Sequence, residues 1–280
     1  MKGKIVFVPI GGLANRMRAT ASVAMLAMES RNDLRIFWFR DWALHAPFYA
    51  LFEPVSIDGL RLEIKEASPI DLLLFDRPRK RNVHLPALFQ QLLFRYRIYE
   101  NDLGEKMKNN FDFLQWATRD GAKYLASCYP FHPYSENLIR KLFRPQPEIK
   151  AEIENRCAEF SPYTVGVHVR RTDNLRSIEE SPLQLFFDAL DKEAETHPEL
   201  GIYLATDSEE VKNDMTKRYG KRVMFCLNKA DRNTVSGIKD GIADMYTLSH
   251  TRKIFGSYYS SFSELAAELG GVPLEIIRKP

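Results

Sequence analysis

The chain has 280 residues, of which 45% are apolar, with a formal net charge of +3 and a pI near 8.6. That composition excludes a disordered chain and gives no reason to expect a nucleic-acid partner. The length allows one large or two medium domains. No apolar run reaches the ~18 residues a membrane-spanning helix needs. Met1–Lys4 leads straight into a strand-like stretch with no signal-peptide core. Cys128, Cys157 and Cys226 are scattered, with no C-x-x-C. This spacing points to a reducing, cytoplasmic compartment and away from a structural zinc site.

Lys4–Ile10 is almost continuously apolar, the pattern of a parallel strand covered on both faces. Gly11 and Gly12 follow, then an Ala-rich helix to Ser30 that opens with Asn15, Arg16 and Arg18. A strand, two glycines and a helix start form either a plain tight turn or a place where a ligand meets backbone N–H groups. Leu34–Phe39 completes a βαβ unit. The aromatic stretch Trp42–Tyr49 reads either as loop packing or as a sugar-stacking surface. Leu60–Ile64 and Ile70–Phe75 read as strands. The basic run Arg77–Arg81 reads as a solvated loop, with contact to an anionic acceptor or a membrane surface as the alternative. Leu85–Tyr99 reads as one core-facing helix, Phe111–Ala117 as another, and Tyr124–Cys128 as a strand. Prolines 130, 133, 145 and 147 surround a short helix, Asn137–Phe143, and mark a hinge. The predicted division is therefore 1–140 and 141–280.

The second half alternates more regularly. Predicted strands are Tyr163–Val169, Ile202–Ala205, Val223–Cys226, Lys253–Phe255 and Pro273–Ile277. Predicted helices are Glu148–Phe160, Pro182–Thr196, Glu209–Tyr219, Val235–Ser249 and Phe262–Leu269. Alternation of this kind makes a parallel sheet, so the fold class is α/β with two Rossmann-like halves. Parallel strands place their carboxyl ends on one edge, where ligands of open α/β sheets bind. Three polar clusters meet there: His168 to Asp173, Asp207, and Ser257 with Ser260 and Ser261.

Each cluster has a plain structural reading beside a functional one. Arg170 and Arg171 suit a diphosphate because a guanidinium offers a planar fork of donors, but an Arg–Asp pair also occurs in ordinary turns. Asp207 and Ser260 are equally candidates for helix caps. His168 lies in an apolar strand, where a satisfied core histidine is common. Gly237, Asp240, Gly241 and Asp244 share one helix face, open either to solvent or to a nucleotide base. Glu179 and Glu180, in the loop after the arginines, could supply a general base. There is no D-x-D, P-loop or metal-spaced His/Asp set, so arginines would carry the charge compensation that a metal supplies elsewhere.

Gly166-Val-His168-Val-Arg170-Arg171-Thr-Asp173, Tyr203-Leu-Ala-Thr-Asp207, Asp244-Met-Tyr-Thr-Leu-Ser249 and Tyr259-Ser260-Ser261 with Glu264-Leu-Ala-Ala-Glu268 resemble, in order and spacing, the donor half of α-1,6-fucosyltransferases. The resemblance spans roughly Tyr163–Leu269, and Gly11–Arg16 more loosely resembles the opening of bacterial members. It implies a GT-B-like architecture of two Rossmann-like domains facing a cleft, acceptor domain first. It also implies GDP-fucose as donor, a glycan acceptor hydroxyl, inversion, and neither cofactor nor metal. By position, Arg170 would neutralise the β-phosphate, and Glu179 or, as a poorer match, Glu180 would be the family's loop glutamate and act as base. Arg171 and Asp173 would shape the same site, Asp207 would lie near the donor, Asp244 near the guanine and Ser260 on the pyrophosphate; the residues themselves add His168, Ser261, Gly11, Gly12 and Asn15 as donor-site candidates. The family carries lysine directly after the motif aspartate, where this chain has Asn174. Two alternatives therefore stand beside the fucosyltransferase: an enzyme using another nucleotide sugar, and an inactive nucleotide-binding scaffold.

Overall fold

The computed structural model describes residues 3–82, 84–172, 175–228 and 230–280. The chain forms two compact units that divide between Arg144 and Pro145, where the sequence reading puts the boundary after residue 140.

The first unit contains, in order, β1 (Lys4–Pro9), α1 (Leu13–Glu29), β2 (Asp33–Trp38), β3 (Leu62–Glu66), α2 (Pro69–Leu74), α3 (Leu85–Leu93), β4 (Tyr96–Ile98), α4 (Glu100–Lys108), α5 (Phe113–Thr118), β5 (Lys123–Ser127) and α6 (Glu136–Leu142). Its five strands run parallel in the order β3-β2-β1-β5-β4. Two expectations fail here. Ile70–Phe75 is not a strand. Ser68 starts a helix, its backbone N–H donating to Asp71 Oδ2 at 2.8 Å, and Pro69 occupies the first helical position. Leu85–Tyr99 is not one helix either. α3 stops at Leu93, and Tyr96–Ile98 pairs with β5 as an edge strand. The basic run is partly tied down, with Arg77 paired to Glu100 and Arg79 to Asp76. The aromatic stretch follows its packing reading at Phe48, which is fully buried against Trp38, Phe52 and Phe143, while Trp42 and Tyr49 are exposed.

The second unit contains α7 (Pro147–Ala158), β6 (Tyr163–Val169), α8 (Leu175–Glu180), α9 (Leu183–Thr196), β7 (Leu200–Thr206), α10 (Glu209–Tyr219), β8 (Val223–Phe225), α11 (Val235–Leu248), β9 (Ile254–Ser257), α12 (Ser261–Gly270) and β10 (Leu274–Ile277). Its parallel sheet runs β10-β9-β6-β7-β8. The segment expected as a loop after the arginines is the helix α8. Alternation along β6 sends Val165, Val167 and Val169 into a core with Phe186, Leu190 and Met215. Gly166 and His168 point to the opposite face, where α11 and α12 lie. A side chain at Gly166 would meet Leu248 and Thr251 at 2.8 Å. The chain leaves β6 for β7 on one side and leaves β9 for β10 on the other. The gap between β6 and β9 is therefore the topological switch point of this sheet, the place where open α/β sheets hold ligands.

Candidate active site

The carboxyl ends of β6, β7 and β9 build the site from backbone outward. The Arg170 N–H donates to Ser257 Oγ at 3.1 Å, and that hydroxyl donates to the His168 carbonyl at 3.1 Å. One serine thus ties the end of β6 to the end of β9 across the switch point. Asp207, at the end of β7, accepts from the Arg171 N–H at 2.7 Å and from the Thr172 N–H and hydroxyl at 3.3 and 2.6 Å. Arg232 approaches the same carboxylate at 3.7 Å. The helix cap after β7 is Ser208, whose Oγ accepts from the Val211 N–H. Asp207 therefore does not cap a helix. It shapes the arginine turn.

The two arginines differ. Arg171 donates to the carbonyls of Arg170 and Ser181, both at 2.9 Å, so its guanidinium holds the loop to the start of α9. Ser181 is itself buried, donating to the Ile277 carbonyl and accepting from the Tyr258 N–H. Arg170 is half-buried at the strand end. Asp173, between this turn and α8, lies outside the described residues. Glu179 is exposed on α8, and Glu180, half-buried beside it, accepts from the Lys279 N–H through its carbonyl.

His168 is 7% exposed, its ring stacked on Phe262 at 4.7 Å with Ser260 Oγ 3.5 Å from Nδ1. Burial pushes its pKa down to about 3, with the Arg170 charge adding to the effect. The ring is neutral at physiological pH and offers one donor and one acceptor, so it suits recognition of a neutral polar group. Ser260 is buried and opens α12 without a side-chain cap bond, and Ser261 follows half-buried. The first turn of α12 therefore keeps backbone donors beside the switch point. A Cβ at Gly256 would meet Ser263 Oγ at 2.6 Å, so glycine is what lets α12 sit this close to β9.

Asp244 is placed differently. Its Oδ1 accepts from Tyr203 OH at 2.7 Å and from Arg156 at 2.8 Å, and burial pushes its carboxyl up to about 6. Asp240 on the same helix face accepts from Asn228 at 3.0 Å. Gly237 does permit a close approach, but the approaching group is the chain's own Asp231 carbonyl, 2.0 Å from where a Cβ would stand. Arg156, the centre of this network, carried no signal in the sequence, because a lone arginine near a helix end looks like any solvated cation.

In the first unit, Gly11 adopts φ +86°, and Gly12 precedes α1 with no side-chain cap and no carboxylate in the first turn. Asn15 is half-buried behind them. Arg16 is fully buried and donates to the carbonyls of Gly11 and Phe39 and to Asp41. No group of three His, Cys, Asp or Glu among the described residues has metal-binding geometry.

A family model for alpha-(1,6)-fucosyltransferase N- and catalytic domains matches residues 123–269, just over half of the chain. No curated protein matches by sequence. Among solved structures, the chain is similar to NodZ alpha-1,6-fucosyltransferase soaked with GDP-fucose, with TM-score 0.69, 20% identity, and 98% of this chain and 94% of that one covered. Another structure of NodZ, from Bradyrhizobium, gives TM-score 0.66 at 22% identity over 95% and 93% of the two chains. POFUT1 in complex with GDP gives TM-score 0.59 at 12% identity over 99% of each chain. Two parallel five-stranded sheets in an α/β chain of this kind are the GT-B-like class expected from the sequence. The chain belongs to the alpha-(1,6)-fucosyltransferase family and is a glycosyltransferase.

Proposed function

We propose that the protein transfers fucose from GDP-fucose to a hydroxyl of a glycan acceptor by a single inverting displacement, in the cytoplasm, in the synthesis of a bacterial polysaccharide or glycoconjugate. The observation that carries this reading is the pinned turn at the switch point. Arg170 is fixed through its own N–H to Ser257, while Asp207 fixes Arg171 and Thr172 next to it. In this reading the second unit binds the donor and the first the acceptor. The acceptor oxygen forms its bond to the anomeric carbon as the bond to the β-phosphate oxygen breaks, and Glu179 takes the hydroxyl proton. Negative charge accumulates on the departing diphosphate, where Arg170 stabilises it without a metal. Arg171 and Asp207 hold the Arg170 backbone in place, and Asp173 is assigned to the donor site by its position in the sequence motif. Neutral His168, with Ser260 and Ser261 and the open first turn of α12, receives the nucleotide. Asp244, held by Tyr203 and Arg156, lies near the guanine in this reading. Within the first unit, the uncapped start of α1 after Gly11 and Gly12, with Asn15, offers backbone donors to an anion.

The neighbours crystallised with GDP-fucose or GDP support the choice of nucleotide. The test is a donor screen in EDTA, in which GDP-fucose, GDP-mannose and UDP-glucose are offered and nucleoside diphosphate release is followed. Release from GDP-fucose alone, with the sugar's anomeric configuration inverted by NMR, is expected. Turnover of the UDP sugar alone, or turnover only with added Mg²⁺, overturns the reading.

A further inference from the structure

The α2–α3 element of the first unit wears its apolar side outward. On α3 the buried positions are Pro86 and Gln90, and the Gln90 amide donates inward to the carbonyls of Leu74 and Asp76 at 3.1 and 2.8 Å, closing the end of α2. Leu85, Leu88 and Leu92, spaced to share one helix stripe, face water instead, with Leu92 81% exposed. Ile70 and Leu72 of the contacting α2 are exposed as well, Ile70 at 63%. A helix that buries its glutamine and shows its leucines is the reverse of a core-facing helix, and exposed apolar groups clustered in this way mark an interaction site.

The charge around this face identifies what it meets. Residues 69–97 contain six Lys and Arg against two Asp, a net +4 in a chain whose total is +3. Both aspartates are buried and spent internally, Asp71 on Ser68 and Lys65 and Asp76 on Arg79. Lys80 and Arg95 remain exposed on either side of α3. A second copy of the chain seated symmetrically here would set +4 against +4, which disfavours self-association. The exposed apolar groups are aliphatic, whereas protein-protein anchors are enriched in tryptophan and tyrosine. The nine-residue α3 and six-residue α2 are too short to span a bilayer, and no described helix is long and apolar enough to cross one. Aliphatic residues flanked by cations on short helices are the features of an element that lies in a lipid interface.

We propose that α2–α3 docks the protein onto an anionic bilayer surface, with Ile70, Leu88 and Leu92 entering the headgroup boundary and Lys80 and Arg95 meeting lipid phosphates. The inference is independent of the donor assignment, because vesicle binding requires no turnover. The test is co-sedimentation of the full chain with vesicles of equimolar phosphatidylcholine and phosphatidylglycerol, against phosphatidylcholine alone. Binding to the anionic vesicles, weakened by salt, is expected. Leu88→Glu with Leu92→Glu should abolish it with an unchanged circular dichroism spectrum. Lys80→Gln with Arg95→Gln, both surface changes that leave the core untouched, should weaken it about thirtyfold, since each basic residue near an anionic surface contributes about fivefold. Absence of binding to anionic vesicles, equal binding to neutral ones, or self-association abolished by the Leu88→Glu, Leu92→Glu pair without any vesicle binding would each overturn the proposal.

Discussion

The central parallel strand of each unit, β1 in one and β6 in the other, is followed closely by an arginine, Arg16 in the first turn of α1 and Arg170 directly after β6, and the two are put to opposite uses. After β1, Arg16 is fully buried and spends its guanidinium on the Gly11 and Phe39 carbonyls and on Asp41. It ties the glycine turn to the end of β2 and is structural. After β6, the turn is held through backbone N–H groups by Ser257 and Asp207, and Arg170 stays half-buried at the strand end. An arginine following a buried strand is therefore not in itself a sign of chemistry. What separates the two cases is that Arg16 anchors its turn through its own guanidinium, whereas the turn at Arg170 is anchored by its backbone N–H groups and by the neighbouring Arg171.

That contrast can be broken experimentally. Arg16→Ala should give the largest effect. It leaves Asp41 and two carbonyls without their buried cation, which costs on the order of 3–5 kcal/mol of stability. Urea unfolding reads this directly, and an unchanged midpoint would show that the first turn does not depend on its arginine. Next comes the acid limb of stability. The folded-state pKa of His168 is near 3, below the ordinary histidine value of 6.5, so the folded state resists protonation. Its contribution is complete above pH 6.5 and is lost progressively as pH falls toward 3. Between pH 6.5 and 4.5 this one group should cost about 2–3 kcal/mol. His168→Gln should flatten that slope in paired urea titrations, and an identical slope in both proteins would mean the histidine is accessible to protons when folded. The smallest effect is expected for Ser208→Ala. This removes the cap of α10 and about 1 kcal/mol of stability. Nucleotide binding should be unaltered, because Asp207 and not Ser208 holds the arginine turn.

The parts of the fold that the sequence made legible are those where local signals and tertiary role agree. β6, read as Tyr163–Val169, and α10, read as Glu209–Tyr219, fall on the observed limits because β-branched alternation and the Ser208 cap both act locally. Ile70–Phe75 misled because its apolar run resembles a buried strand, although Ser68-Pro69-Ile-Asp71 already spelled a helix start. The strand Tyr96–Ile98 had no local signature, since three residues at a sheet edge are fixed only by pairing with β5. At the site, His168, Arg170, Arg171, Asp207 and Ser260 could be found because parallel topology brings strand ends together whatever the loops do. Arg156 could not, because its partners Tyr203, Cys226 and Asp244 are distant in sequence and meet only in the folded unit.

The central claim is that the turn at Arg170 receives the diphosphate of a guanine nucleotide. Calorimetric titration of GDP, UDP and CMP in EDTA, on the wild-type protein and on Arg170→Ala, tests it most directly. GDP is expected to bind without metal and in preference to UDP and CMP. Arg170→Ala should lose binding by about a hundredfold, in keeping with the ~3 kcal/mol that one well-placed donor to a developing anion supplies. GDP binding of equal strength in both proteins, or nucleotide binding that requires Mg²⁺, would contradict it.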